Sequence, residues 1–179
     1  MKIIAITGTP GTGKTALARE LSLFTHYELV DVASFIKKHR ISKEYDKNRK
    51  TQVIDINKLN KALIRAVKAK ITQKKGIKGI IIDSHLSHFL PSAFIDACIV
   101  TTCSLKVLRK RLALKGYNAS KIRENLDSEI FDTCLSEAAE KHKILVVDTS
   151  KKSAKTLAKE LSAKISGKSS GSDPNLVRT

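Results

Sequence analysis

Acidic residues are scarce in this sequence. Asp and Glu number 17 against 34 Lys and Arg in 179 residues, a formal net charge of +17. That imbalance favours polyanionic partners: nucleotides, RNA or ribosomal surfaces. The competing explanation is the Lys-rich, solvated surface of a heat-adapted protein. Aromatic residues make up only 4%, too few for a base-stacking platform, so any RNA contact is expected through phosphates. Three cysteines occur, Cys98, Cys103 and Cys134. None forms a Cys-x-x-Cys pair, which excludes a four-cysteine zinc site and argues against a disulfide framework. They read as small buried hydrophobes in a reducing compartment. No apolar run approaches the roughly 18 residues of a membrane span. The first seven residues lead straight into a glycine-rich motif and leave no room for a leader, so a cytoplasmic location without a membrane partner is the expectation.

Apolar residues make up 41%, enough for one compact domain with a core of its own. Apolar runs alternate with helical patterns, which predicts an α/β fold around a mainly parallel sheet. Strands are predicted at Ile3–Thr7, Tyr27–Val32, Ile80–Asp83, Ala97–Thr101 and Ile144–Asp148. Helices are predicted after the glycine-rich motif, over Ser34–Arg40, Asn57–Lys75, Ser104–Leu114 with Ser104 as its cap, Ser120–Lys141 and Ser153–Ile165. The stretch from Arg40 to Thr51 is polar and charged, Gly76 and Gly79 read as breakers, and Gly167–Thr179 reads as a disordered tail. No internal repeat is visible.

Chemistry concentrates first in Gly8-Thr9-Pro10-Gly11-Thr12-Gly13-Lys14-Thr15. This matches the phosphate-binding pattern G-x-x-x-x-G-K-[ST], with an apolar strand before it and an amphipathic helix after it. Glycines let the backbone wrap a phosphate with its N–H groups pointing inward, and the helix adds its positive N-terminus. The phosphates of ATP or GTP are thus expected on Gly11, Gly13, Lys14, Thr15 and Ala16. Lys14 supplies a point charge to the β- and γ-phosphates, from a position facing phosphate and solvent rather than core. Thr15 offers a hydroxyl to Mg²⁺, and Asp83, closing an apolar strand, is the candidate carboxylate for the same ion. The competing reading of Asp83 is a strand-end cap. His85, two residues on, is a candidate to position a water or an acceptor hydroxyl, although a lone histidine is more often structural. Arg111 and Lys115 lie four apart on one helical face and are candidates to close over the transferring phosphoryl group; a solvated basic face explains them equally well. Lys58, Lys61, Arg65 and Lys68 form a second basic stripe, with no acid between Lys58 and Lys78. It fits RNA or an acidic protein surface, or plain solvation.

Together these residues resemble the adenylate kinase isoenzyme 6 family. The matching pieces are the Thr7–Thr15 motif, Asp83-Ser84-His85 followed by Phe89 and Pro91, and the run Arg111-Leu112 through Lys115-Gly116-Tyr117-Asn118 to Glu129-Ile130-Phe131. Tyr45-Asp46 and Val53-Ile54-Asp55 match more weakly. The resemblance implies a P-loop nucleoside-monophosphate-kinase fold, a five-stranded parallel sheet flanked by helices. It implies a single domain over residues 1–166, with a monophosphate-binding part at about 31–54 and a lid at about 114–124. It further implies Mg²⁺-dependent transfer from ATP to AMP, some ATPase activity, and a role in small-ribosomal-subunit biogenesis with a ribosomal-protein partner and ribosomal RNA. By position, Lys37 would lie near AMP and Lys115 in the lid. Both stand where the family often has Arg, which keeps the charge but loses the bidentate fork. An alternative is an assembly factor for the small ribosomal subunit in which ATP hydrolysis switches partner binding and kinase activity is incidental.

Overall fold

The structure, a computed structural model, describes residues 1–46 and 51–165. The expected tail 167–179 and the tip of the charged stretch at 47–50 lie outside the described residues. Strand β1 (Lys2–Thr7) leads through the glycine-rich loop into helix α1 (Lys14–Thr25). Then come β2 (Glu28–Asp31), α2 (Val32–His39), β3 (Ser42–Asp46), β4 (Thr51–Ile54), α3 (Ile56–Gln73) and β5 (Gly79–Asp83). After two short 3₁₀ turns follow β6 (Ala97–Thr102), α4 (Leu105–Leu114), α5 (Ala119–Ile130), α6 (Thr133–Ala139), β7 (Ile144–Asp148) and α7 (Ala154–Ile165).

Five strands form one sheet in the order β2-β5-β1-β6-β7, and every pair in it is parallel. Side chains alternate across it. Ile3, Ala5, Ile80 and Ile82 face a core shared with Leu59, Leu63 and Val67 of α3. Ile4, Ile6 and Ile81 face the other core, with Leu17 and Leu21 of α1 and Leu157 and Leu161 of α7. Burial of both faces explains why the central strands are uninterrupted apolar runs rather than alternating ones. Such an arrangement sets the C-terminal ends of β1, β2 and β5 side by side, where an open parallel sheet takes its ligands.

Local chemistry sets most helix starts. Asp31 accepts from the N–H groups of Ala33 and Ser34 (2.9 and 3.3 Å). Asp55 caps α3 at Lys58 N (3.1 Å) and Asn118 caps α5 at Lys121 N (2.8 Å). Four expectations are corrected. Ser104 stands at the start of α4 but its side chain makes no capping bond; its N–H instead donates to Ser150 Oγ at 2.7 Å. The helix expected over Ser120–Lys141 is broken at Phe131–Asp132, where Asp132 takes φ 49°. Glu129, still within α5, accepts from Cys103 N through its side chain at 2.9 Å, and the chain turns at Asp132 into α6. Part of the polar stretch forms an antiparallel pair, β3 with β4, apart from the main sheet. Gly79, read as a breaker, is the first residue of β5; a Cβ there would lie 2.5 Å from the Tyr27 ring.

Candidate phosphate-transfer site

The glycine-rich loop is held by shape as much as by bonds. Gly8 has φ 132°, and a Cβ on it would stand 2.2 Å from the carbonyl oxygen of Thr101, so glycine is required for β1 and β6 to approach at this point. Gly13 (φ 93°) turns the chain into α1. Behind the loop, Leu108 and Leu112 of α4 press on Gly11. Buried hydroxyls complete the frame. Thr12 Oγ1 donates to Thr9 O (2.8 Å) and lies 2.7 Å from Thr101 Oγ1.

Lys14 departs from its expected setting. It is only 8% exposed, and its ammonium donates to the carbonyl oxygens of Gly8 (2.7 Å) and Thr9 (2.8 Å). The side chain therefore ties the loop together from inside, and one of its three N–H donors remains to reach a ligand. Burial lowers its pKa from 10.5 to about 8.

A cavity of about 640 Å³ opens on this loop. Its walls include Gly11, Gly13, Lys14, Thr15, Ala16, Asp83, His85, Arg111 and Lys115. All the expected site residues except Lys37 thus meet in one place, although Arg111 follows Lys14 by nearly a hundred residues. Lys37 is exposed on α2 and does not line the cavity, whereas its neighbour Ile36 does: a helix turns successive side chains about 100° apart, and the inward direction falls to Ile36. Three polar lining residues were missed. Arg19 follows Thr15 by one helical turn on α1, a spacing visible in the sequence. Asp31 pairs in register with Asp83 across β2 and β5, and Ser84 follows Asp83 directly. With Arg19 and Asp31 counted, Lys14, Arg19, Arg111 and Lys115 face Asp31 and Asp83, a cationic excess suited to a polyphosphate.

Asp83 is 5% exposed, and its Oδ1 is buried without a hydrogen-bond partner. Burial raises its pKa, opposed by a hydrogen bond from Thr15 and the charge of Lys14. An unsatisfied anionic oxygen beside a hydroxyl is a hard donor pair that fits a hydrated divalent cation. Among the described residues no cluster of three or more His, Cys, Asp or Glu could hold a metal, so further ligands would have to be phosphate oxygens and water.

Arg111 is not free to swing. Its Nη1 donates to Thr149 Oγ1 and its Nη2 to Thr149 O, both at 2.8 Å. Thr149 Oγ1 in turn donates to Thr12 O at 2.7 Å, so the guanidinium is a fixed part of the loop's wall. Lys115, by contrast, is exposed at the end of α4 with no acidic partner among the described residues. His85 is exposed where it opens onto the cavity; desolvation by the walls it touches, and then the Lys14 charge, lower its pKa to about 4. Its imidazole is therefore neutral at neutral pH. A second cavity, about 340 Å³, lies beside the first and is lined by Ile54, Leu86, Lys121, Asn125 and Cys134 among others; it shares Pro10 and His85 with the first.

Comparison with known proteins follows the same lines. A family model described as an AAA domain matches residues 4–132. A Methanocaldococcus jannaschii protein named "Putative adenylate kinase" is 35% identical over 154 residues, which cover 86% of this chain and 80% of that protein. A Caenorhabditis elegans protein named "Adenylate kinase isoenzyme 6 homolog" is 30% identical over 139 residues, 78% of this chain and 73% of that protein. Among solved structures, a shikimate kinase from Acinetobacter baumannii superposes with a TM-score of 0.61 at 14% identity, over 93% of this chain and 94% of that one. A deoxyadenosine kinase from M. mycoides gives a TM-score of 0.56 at 19% identity, over 92% and 99%. These two likenesses are of fold: a parallel sheet flanked by helices, carrying a P-loop.

Proposed function

This chain belongs to the adenylate kinase isoenzyme 6 family, and on that premise we propose that it transfers the γ-phosphoryl group of ATP to AMP, giving two ADP. That it is a P-loop kinase of the nucleotide-kinase type follows from the family; the acceptor and the roles below are our reading. What chiefly supports it is the pair of cavities that meet at Pro10 and His85, as a donor and an acceptor must meet at the transferring group.

In this reading the loop amides, with Gly11, Gly13, Thr15 and Ala16, cradle the ATP phosphates, and Lys14 reaches the β- and γ-phosphates. Thr15 and Asp83 would hold Mg²⁺, which would neutralise charge on the phosphate oxygens. Arg111, already pinned, presents a fixed positive charge at no ordering cost during reaction. Lys115 lies in the proposed lid at about 114–124 and closes over the phosphoryl group, excluding water. AMP is assigned to the second cavity, whose lining cation among the described residues, Lys121, is paired with Glu124 at 2.9 Å and would exchange that partner for the AMP phosphate; the proposed monophosphate-binding part, 31–54, contributes Ile54 to its wall. A role for Lys37 in AMP binding would require α2 to rotate inward on closure. Residues 1–166 form the single domain in this scheme.

His85 decides between transfer and hydrolysis. A neutral imidazole accepts a hydrogen bond from water and aims it at the γ-phosphorus, whereas AMP brings its own phosphate oxygen as nucleophile. ADP formation from ATP alone, from ATP with AMP and from ATP with other monophosphates tests the acceptor: AMP should give the fastest rate. His85→Gly should then cut hydrolysis about tenfold or more and AMP phosphorylation less. No stimulation by AMP would overturn the kinase assignment; equal losses would make His85 a general organiser of both reactions.

A second reading, an ATP-hydrolysing assembly factor for the small ribosomal subunit, is favoured by one observation. Lys58, Lys61, Arg65 and Lys68 are all exposed along α3, and among the described residues none has an acidic partner. Lys70 and Lys74 are excluded from this face because Glu28 binds both. If the face meets ribosomal RNA, reversing Lys61 and Arg65 to Glu should weaken binding of a small-subunit ribosomal RNA fragment. It should also flatten the log–log salt dependence by roughly one to two and spare AMP-dependent turnover. Unchanged binding would leave the stripe a solvated face.

A further inference from the structure

The site described so far makes no use of the most deeply buried histidine. His88 is 1% exposed and sits in the 3₁₀ turn Ser87–Phe89, three residues beyond His85. Its Nε2 is 3.0 Å from Glu137 Oε2 of α6, and its Nδ1 is 2.7 Å from Thr7 Oγ1 at the end of β1. Burial outweighs the Glu137 carboxylate and lowers its pKa, so the ring is neutral and carries one N–H. A carboxylate only accepts, so that proton belongs on Nε2; Nδ1 then accepts from the Thr7 hydroxyl. The ring's two partners thus select one tautomer. The other charged or titratable groups near His88 are Lys141 and His142 beyond α6, and His85 on its own loop. His142 holds the backbone in place, with Nε2 donating to His88 O at 2.9 Å.

Thr7 gives this bond its consequence. It is the last residue before Gly8, and its carbonyl lies 3.2 Å from Thr101 Oγ1, whose single proton is the one left to bridge to Thr12 Oγ1. Thr101 Oγ1 is 2.7 Å from Thr12 Oγ1, which donates to Thr9 O. That same carbonyl receives the Lys14 ammonium at 2.8 Å. A chain of buried polar contacts therefore runs from Glu137 through His88 and Thr7 into the loop that carries Lys14. The histidine end of the chain lies on the segment that carries His85. Ser87 Oγ shares its one proton between Ser84 O at 2.8 Å and Ile6 O at 3.0 Å.

We propose that His88 is a positioning residue for phosphoryl transfer: oriented by Glu137, it accepts from Thr7 and so fixes the His85 segment against the start of the phosphate loop. A displacement of about 1 Å between reacting groups can cost on the order of a hundredfold in rate, so a bond at this junction acts on turnover more than on nucleotide affinity. The kinetic readout rests on the kinase reading above; the spectroscopic one does not.

Two near-isosteres divide the ring's functions. Asn reaches about as far as Nδ1 and can still accept from Thr7; Gln reaches about as far as Nε2 and keeps only Glu137. His88→Gln and Thr7→Val should lower kcat roughly tenfold or more with KM for ATP little changed, while His88→Asn and Thr7→Ser stay near wild type. All four are compared well below their melting temperatures, so that a stability loss alone does not enter. Wild-type kcat in Thr7→Val, or equal losses in His88→Asn and His88→Gln, would overturn the proposal. Nitrogen-15 NMR of the imidazoles supplies the independent arm. His88 should show an unprotonated Nδ1 at neutral pH, and His85 and the loop amides should shift in His88→Gln and Thr7→Val but not in His88→Asn. A protonated Nδ1 would reject the relay. A wild type that ignores AMP yet shows these shifts would reject the kinase reading and retain the relay.

Discussion

Lys14→Ala should lower turnover by about 10²–10³-fold, with and without AMP. Loss of a charge-assisted phosphate contact accounts for about 1.5–3 kcal/mol in binding, and the rest comes from charge that develops only as the phosphoryl group moves. The structure adds a second cost, because the ammonium also bonds the carbonyls of Gly8 and Thr9. Lys14→Met, which retains the buried stem, separates the two. Both variants should be equally inactive, while the melting temperature falls less in Lys14→Met. Titration gives a further signature. The folded protein holds the Lys14 proton less tightly (pKa about 8) than the ordinary value of 10.5. Between those values the unfolded chain binds more protons, so stability of the nucleotide-free protein rises with pH across this window. Affinity for ATP moves the opposite way, falling as pH passes about 8 by at most tenfold per unit; in Lys14→Met it should be flat there. Turnover within about threefold of wild type in either variant would remove the P-loop lysine from the mechanism.

Asp83→Asn should abolish both activities to a similar extent, about 10²-fold or more, and should leave the fold as stable or slightly more so. The two halves have one cause. Burial raises the carboxyl pKa, so at neutral pH the native state carries a carboxylate that would be better solvated in the unfolded chain. Asn has the same shape without that charge, and relieves the penalty. A catalytic site accepts such a cost when the charge has a task; in the proposed scheme that task is to hold Mg²⁺ together with Thr15. The measurements are thermal melts without nucleotide and ADP formation across a Mg²⁺ titration. Excess Mg²⁺ should not restore the variant. Retained activity, or a large loss of stability with activity otherwise intact, would return Asp83 to a strand-end cap.

What a contiguous stretch of chain can encode was legible in the sequence. The phosphate loop is such a stretch: its anion site is made by its own backbone and by the helix that begins at its end, so spacing alone identifies it. The five strands of the main sheet were legible too, because burial on both faces leaves each one a short apolar run. Asp83 stood out because it ends the most completely buried of them.

Other features depend on residues far apart in sequence, and local periodicity carries no signal for these. His85 and His88 stand three apart in one segment and look alike; only packing decides that the first opens on the cavity and the second is sealed between Thr7 and Glu137. Asp31 became a site residue through the register that sets it beside Asp83. Arg111 became a fixed wall rather than a mobile finger through Thr149. Lys14 proved buried because the loop's carbonyls turn inward to meet it, and the helical run after Asn118 broke at Asp132, which takes a left-handed conformation. Sequence determined the five strands of the main sheet and the place of the phosphate loop, because torsions, caps and apolar spacing act over a few residues. Tertiary structure decided which charges are desolvated and which groups share a cavity, because desolvation and polar contact depend on neighbours that the fold alone brings together.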